Sequence, residues 1–252
     1  MDRLIYTAMT GAKHTFLQQA GVGNNLANVN TVGFKAQMHR FLAVPVQTQN
    51  AYDSRAFTVD ASVETDYDEG PLMATDNPLD VAINGQGWLA VQTPDGGEAY
   101  TRAGTLMVNA DGDLITKSGL PVMGDGGGIN VPPDNTIAIG PDGTVSVVPR
   151  YGSPNVVNII GRIKLVNPPQ ADMERGADGL FHMKAGAQGG AIAPLDDTVR
   201  VTSGYLEGSN VNPAEAMVSL ISLSRQFELQ MQMIQEAQQN AQRADQLLSL
   251  SA

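Results

Sequence analysis

The chain has 252 residues, a formal net charge of −11 at pH 7, a hydrophobic content of 42% and no cysteine. That length suffices for one or two domains with a real core, and the missing cysteine excludes disulfides, thiolate metal sites and a thiol nucleophile. Residues 1–36 carry +2, residues 37–212 carry −11 and residues 213–252 carry −2, so no basic stripe serves nucleic acid or anionic lipid, and the two ends are near neutral, as segments that pack together should be.

Residues 1 to about 28 read as a helix. Ile5, Met9, Ala12 and Phe16 follow a 4-3-4 spacing, with Ala8, Leu17, Ala20 and Leu26 nearby. Gly11, Gly21 and Gly23 weaken it by up to about 1 kcal/mol each relative to Ala, and alone it is marginal in water. Its natural partner is the apolar seam at the other end of the chain. The opening Met1 to Tyr6 lacks the basic region and long apolar core of a secretory signal. No apolar run approaches the roughly 18 residues of a membrane span.

Asn24 to Lys35 is a turn by composition, with Asn24, Asn25, Asn28 and Asn30 close together. Gly33 supplies a backbone conformation that other residues resist, and Phe34 anchors into something apolar. Residues 36–80 form a transition. Phe41 to Val46 reads as extended, and the acidic run Asp53, Asp60, Glu64, Asp66, Asp68, Glu69 follows. Several short strands or an extended arm both fit.

Residues 81–205 read as a β domain. Turn signals such as Pro94–Gly97, Ala110–Asp113, Ser118–Gly119, Gly124–Gly126, Pro141–Gly143 and Asp178–Gly179 separate strand-like runs, as hairpins and meanders require. The clearest strands are Gly87–Val91, Thr144–Val148, Val156–Val166 and Thr198–Val201.

A long helix begins at Asn212. Asn212 is its N-cap, Pro213 its first helical residue, and Glu215 stands three after the cap, where it can reach back to the cap's N–H. Ala216, Leu220, Leu223, Phe227, Gln230, Ile234, Ala237, Ala241, Ala244 and Leu248 form a 4-3 seam, which asks for a partner helix. The helix would be roughly 50 Å long. Gln230 alone interrupts the seam with a polar group, pointing to a register set by a neighbouring subunit. Eight Gln between Gln226 and Gln246 face only Glu228, Glu236, Arg243 and Asp245 as charges, and Met217, Val218, Ile221, Met231 and Met233 lie off the seam. Neutral amides and Met are buried against neighbours at lower cost than charges, so the helix is expected to pack on several sides.

The run Asn25-Leu26-Ala27-Asn28-Val29-Asn30-Thr31-Val32-Gly33-Phe34-Lys35 resembles the N-terminal motif of the bacterial flagellar rod and hook proteins. The opening Met1-Asp2 with Ile5 to Met9 is closer to proximal-rod than to distal-rod or hook members. Asp80 to Trp88 with Tyr100 to Gly104 resembles that family's central domain, and Leu206-Glu207, Ser209 to Asn212 and Glu215 to Met217 its C-terminal motif. The resemblance covers both ends and two parts of the middle. It implies terminal helices packed into the wall of an axial tube, and export through the flagellum's own type III apparatus without a cleaved signal. It also implies a segment after Gly33-Phe34 that wraps along neighbouring subunits.

No catalytic constellation is found. His14, His39 and His182 are isolated from further ligands. Asp111-Gly112-Asp113 lacks the rest of a calcium loop and reads as a hairpin turn. Gly124 to Gly128 lacks the Lys-Ser/Thr of a phosphate loop. Asp68-Glu69 and Asp196-Asp197 lack the aromatic cleft a glycosidase needs.

The expected class is α+β, with N- and C-terminal helices paired as a coiled coil around an inserted, mainly antiparallel β domain. The expected divisions are 1–35 with 206–252, 36–80, and 81–205. The expected role is a structural subunit of the flagellar basal-body rod, with copies of itself, other rod subunits and the export apparatus as partners. No cofactor, metal, nucleic acid or membrane insertion is expected. The assembly residues are Ile5, Met9, Ala12, Phe16, Asn25, Leu26, Asn28, Asn30, Gly33, Phe34, Asn210, Asn212, Pro213, Glu215, Leu220, Leu223, Phe227, Ile234 and Leu248. The alternatives are a distal rod subunit of the same family and a secreted β-domain enzyme on a trimeric coiled-coil stalk.

Overall fold

The computed structural model describes residues 4–45, 56–150, 157–184, 186, 190 and 192–250. The chain is α+β and divides into two compact units. One comprises residues 1–29, 36–66 and 211–252; the other comprises 30–35 and 67–210.

The first unit holds helix α1 (Leu4–Ala27), strands β1 (Gln37–Pro45) and β2 (Ala56–Thr65), and helix α2 (Pro213–Leu250). Residues 37–45 and 56–65 of the expected transition segment pair antiparallel, with a shift of register between Arg40 and Phe41, while Leu72–Ala74 of the same segment belongs to the second unit. α2 starts where its cap chemistry places it. Asn212 Oδ1 accepts from the N–H of Ala214 (3.1 Å) and Glu215 (3.4 Å), satisfying two of the helix's orphan donors. α1 ends in the Asn-rich turn, where the Asn28 N–H reaches the Asn24 and Asn25 carbonyls. The glycines of α1 also have packing reasons. A Cβ on Gly21 would lie 2.5 Å from His39 Nε2 of β1, and one on Gly11 would lie 3.1 Å from Gln230 Nε2 of α2.

The second unit is the β domain. It opens with β3 (Leu72–Ala74) and β4 (Val81–Asn84). Two hairpins follow, β5 (Trp88–Gln92) with β6 (Glu98–Thr101) and β7 (Leu106–Val108) with β8 (Leu114–Thr116). The two-residue strands β9 (Met123–Gly124) and β10 (Gly127–Gly128) pair with each other. β11 (Asn135–Ile139), β12 (Thr144–Pro149) and β13 (Asn158–Arg162) form a meander. β14 (Leu165–Val166), β15 (Met173–Arg175) and β16 (Phe181–Met183) join a five-stranded sheet of order β14-β5-β6-β16-β15. β17 (Arg200–Ser203) returns to β4, and β18 (Tyr205–Glu207) returns to β3. Every described strand pairing is antiparallel.

The turns sit where the Gly and Asp signals put them. Between β7 and β8, Asn109 Oδ1 accepts from the Asp111 and Asp113 N–H groups at 2.9 and 2.8 Å. This Asx turn gives Asp111-Gly112-Asp113 a hairpin role. The core has two clusters, one around Val81, Leu89, Leu114, Val145 and Ile163, the other around Trp88, Tyr100, Met173 and Phe181. The Trp88 and Phe181 rings lie 4.4 Å apart between centroids, tilted by 44°. Tyr100 donates nothing to solvent: burial pushes its hydroxyl to about 12, and its oxygen accepts the Ala193 N–H at 2.7 Å.

Candidate functional site

Gly33 has φ of 68°, the left-handed region that glycine enters without steric cost. A Cβ there would also collide with the backbone of Arg102 and Ala103. Gly33 therefore lies directly against the Arg102–Ala103 backbone, and its N–H donates to the Glu207 carbonyl at 2.8 Å.

Two residues on, Lys35 points inward. Its Nζ lies 2.8 Å from Glu207 Oε1 and 2.6 Å from the Asp68 carbonyl. The other Glu207 oxygen, Oε2, lies 2.9 Å from Arg102 Nη1, and the Gly70 N–H adds a bond of 3.0 Å to Oε1. Arg102 also donates to the carbonyls of Gly87 (Nε, 3.0 Å) and Gly85 (Nη2, 2.6 Å). Its guanidinium also lies over the Trp88 ring, 5.3 Å from the centroid. The side chains of Lys35 and Glu207 are 1% and 2% exposed, so this is a buried three-membered charge network.

Burial by itself drives the Glu207 carboxyl up. The Lys35 hydrogen bond, the Arg102 charge and the Gly70 N–H outweigh it and hold the group below the usual carboxylate range. For Lys35, burial lowers the ammonium below its ordinary value, and the Glu207 bond opposes that shift without cancelling it. The two shifts share one cause in opposition: burial works against the charged form of each group, and the Lys35–Glu207 bond works for it.

Phe34 is buried, but its cover is not simply apolar. The Arg175 guanidinium lies 4.4 Å from its ring centroid and donates to the Lys35 carbonyl at 3.2 Å. Asn210 completes the junction. Its N–H bonds the Phe34 carbonyl (3.3 Å), and its side-chain amide donates to the Asp68 carbonyl (3.2 Å).

The helices of the first unit carry the other sequence-derived residues. Along α2, Ala216, Leu220, Leu223, Phe227, Gln230 and Ile234 are half-buried and Ala237 is buried, while the flanking positions are mostly exposed. The side chains of Ala241, Ala244 and Leu248 lie outside the described residues. Gln230 does not wait for another subunit: its Oε1 accepts from Thr15 Oγ1 of α1 at 3.1 Å, and Thr15 is buried. The polar break in the seam is met within the chain.

On α1 the inward row is Ile5, Ala8, Ala12 and Thr15. Met9 and Phe16, placed in the pairing row by their spacing, are instead 55% and 58% exposed. The small residues Gly11, Ala12 and Thr15 let the helices approach, which rotates the large side chains outward. Asn25 pairs its side-chain amide with the backbone of Gln37 in both directions (2.8 and 2.9 Å), fixing β1 to the end of α1. Asn28 bonds back to the Asn24 carbonyl at 2.9 Å. Leu26 is half-buried; Asn30, Pro213 and Glu215 are exposed.

Sequence reasoning quoted Lys35, Arg102 and Glu207 inside motifs without seeing that they meet. Arg175, Asp68 and Gly70 carried no signal for this junction at all. Among the described residues no group of three or more His, Asp or Glu side chains could hold a metal ion, and no helix is long and apolar enough to cross a membrane.

Three family models match the chain: "Flagella basal body rod protein" over residues 5–35, "Flagellar hook protein FlgE/F/G D1 domain" over 82–147, and "Flagellar basal body rod FlgEFG protein C-terminal" over 202–247. The flagellar basal-body rod protein FlgF of Salmonella typhimurium is 45% identical, with both chains covered in full. The chain belongs to the flagellar basal-body rod proteins. FlgF of Escherichia coli K12 is 44% identical over the full length of both chains. The rod protein FlgG of Buchnera aphidicola (Schizaphis graminum) is 33% identical over 96% of this chain and 98% of its own. This is a structural family, and the charge network of this chain draws on all three matched segments. Each of the three matched segments supplies one member: Lys35, Arg102 and Glu207.

Proposed function

We propose that this rod-family protein is a proximal subunit of the flagellar basal-body rod. Its terminal helices pair as a coiled coil and pack against copies of itself and other rod subunits, proximal and distal, to build the tube that carries torque to the hook. The observation that carries this reading is the outer surface of the two helices. Tyr6, Met9 and Phe16 of α1 and Met217, Val218, Ile221, Leu229, Met231 and Met233 of α2 are all exposed. Tyr6, Met9 and Phe16 recur at helical spacing, so they form one stripe. Large apolar side chains on both helices mark surfaces that are covered by partners. Torque needs many interlocking contacts rather than one site, and the stripe supplies them in addition to the seam.

The full-length identities of 45% and 44% to two FlgF proteins favour the proximal position. Membership in a structural family favours assembly over the stalked enzyme. Export by the flagellar type III apparatus belongs to the same reading.

The chain has no cysteine, so introduced thiols are unambiguous. Phe16→Cys and Ile221→Cys variants, treated in intact basal bodies with a thiol-to-amine crosslinker, are expected to give adducts to neighbouring subunits that the dilute monomer does not give. Absence of adducts from basal bodies that contain the protein would remove the helix-packing reading.

A further inference from the structure

We infer that Lys35, Arg102 and Glu207 are positioning residues: their network serves to hold the outgoing segment at Lys35 and the returning segment at Glu207 at one fixed point on the β domain, not to stabilise that domain. This rests on the rod reading above and adds a residue-level device to it.

The argument starts from where the three residues sit. Lys35 lies on the segment that follows α1 and its Asn-rich turn. Glu207 ends β18, five residues before the cap of α2. Arg102 follows β6 in the body of the β domain. One carboxylate therefore gathers the outgoing segment, the returning segment and the domain between them. The sequence separations are 172 residues for Lys35–Glu207 and 105 for Arg102–Glu207.

The chemistry of the network suits position better than stability. Two cations share one anion, and all three are removed from water. Desolvating three charges costs more than an apolar cluster of the same volume would, and buried ion networks can be replaced by apolar residues without loss of stability. What an apolar cluster does not supply is direction. Each of the three donor positions on Arg102, Nε, Nη1 and Nη2, has its own acceptor, and the planar fork permits one orientation. Lys35 Nζ is fixed by two acceptors, Glu207 Oε1 and the Asp68 carbonyl. Glu207 is fixed at both oxygens and, through its carbonyl, at Gly33. A slip of either segment by one residue breaks several charged bonds at once. An apolar contact would tolerate the same slip.

The test is the apolar triple variant Lys35→Met/Arg102→Met/Glu207→Leu in the full chain, expressed in cells lacking the natural copy. The expected result is a urea midpoint at or above that of the original protein together with loss of swimming. A triple variant that folds and swims like the original overturns the inference. Should the triple variant unfold at lower urea, a second apolar set, Lys35→Leu/Arg102→Leu/Glu207→Met, which likewise leaves no buried charge unpaired, carries the same test: a midpoint kept with swimming lost supports the inference, and a midpoint lost again together with swimming overturns it. Cells lacking the chain serve as the control for the rod reading. If they swim, that reading fails by itself, whatever the variants do.

Discussion

Lys35 Nζ and Glu207 Oε1 lie 2.8 Å apart although 172 residues separate them, and both side chains are almost fully withdrawn from water. A buried charge that loses its partner is far more costly than a surface one. Glu207→Ala leaves Lys35 and Arg102 facing each other without an anion. It is expected to destabilise the β domain by about 3–5 kcal/mol. Urea unfolding followed by Trp88 fluorescence reports it, since Trp88 lies under Arg102. A loss below about 1 kcal/mol, the range of exposed pairs, would contradict the burial.

The same carboxyl makes the β domain acid-sensitive. Its folded value lies below the ordinary range, so in acid the unfolded chain binds the proton that the folded chain refuses. Stability then rises with pH through that window. The Glu207 contribution is complete above the unfolded carboxylate value of about 4.3 and is lost as pH falls through the folded value. Urea midpoints measured downward from pH 7 should fall more steeply for the original chain than for Lys35→Met/Arg102→Met/Glu207→Leu. Parallel curves would mean that Glu207 does not contribute.

Gly33→Ala combines a left-handed backbone with a collision against Arg102 and Ala103. The conformation alone costs about 1–2 kcal/mol for an L-residue, and the collision adds to it. Thermal unfolding should show a clear drop in Tm. By contrast, Gly96→Ala, also at positive φ but with open space around it, should lose only the conformational part. Equal losses at the two positions would show that the contact with Arg102 is not tight.

Phe16→Glu and Ile221→Glu place a charge on exposed positions of the helices. Monomer stability should stay within about 0.5 kcal/mol, as for other surface changes, while swimming is lost. Thr15→Val is the opposite case. It removes the hydroxyl that Gln230 accepts from in a part-buried bond, at a cost of about 0.5–1.5 kcal/mol. Calorimetry of both sets separates the outer face from the inner one. A stable Thr15→Val protein would mean that Gln230 finds another partner.

Much of this molecule is legible one segment at a time. The Asn212-Pro213 start of α2, the 4-3 seam through Ala216, Leu220, Leu223 and Phe227, the hairpin at Asn109–Asp113 and the turn at Gly33 are local facts. Each follows from capping, period or backbone sterics acting over a few residues. The family motifs at both ends were legible for the same reason. The tertiary structure alone decided which face of α1 turns inward, because Ala8, Ala12 and Thr15 and the row of Met9 and Phe16 both satisfy helical spacing. The choice fell to close approach and to the Gln230–Thr15 bond. It alone decided, too, that Lys35, Arg102 and Glu207 leave water. A charge is worth burying only if its partners arrive, and here they arrive from across most of the chain, where no local propensity reaches.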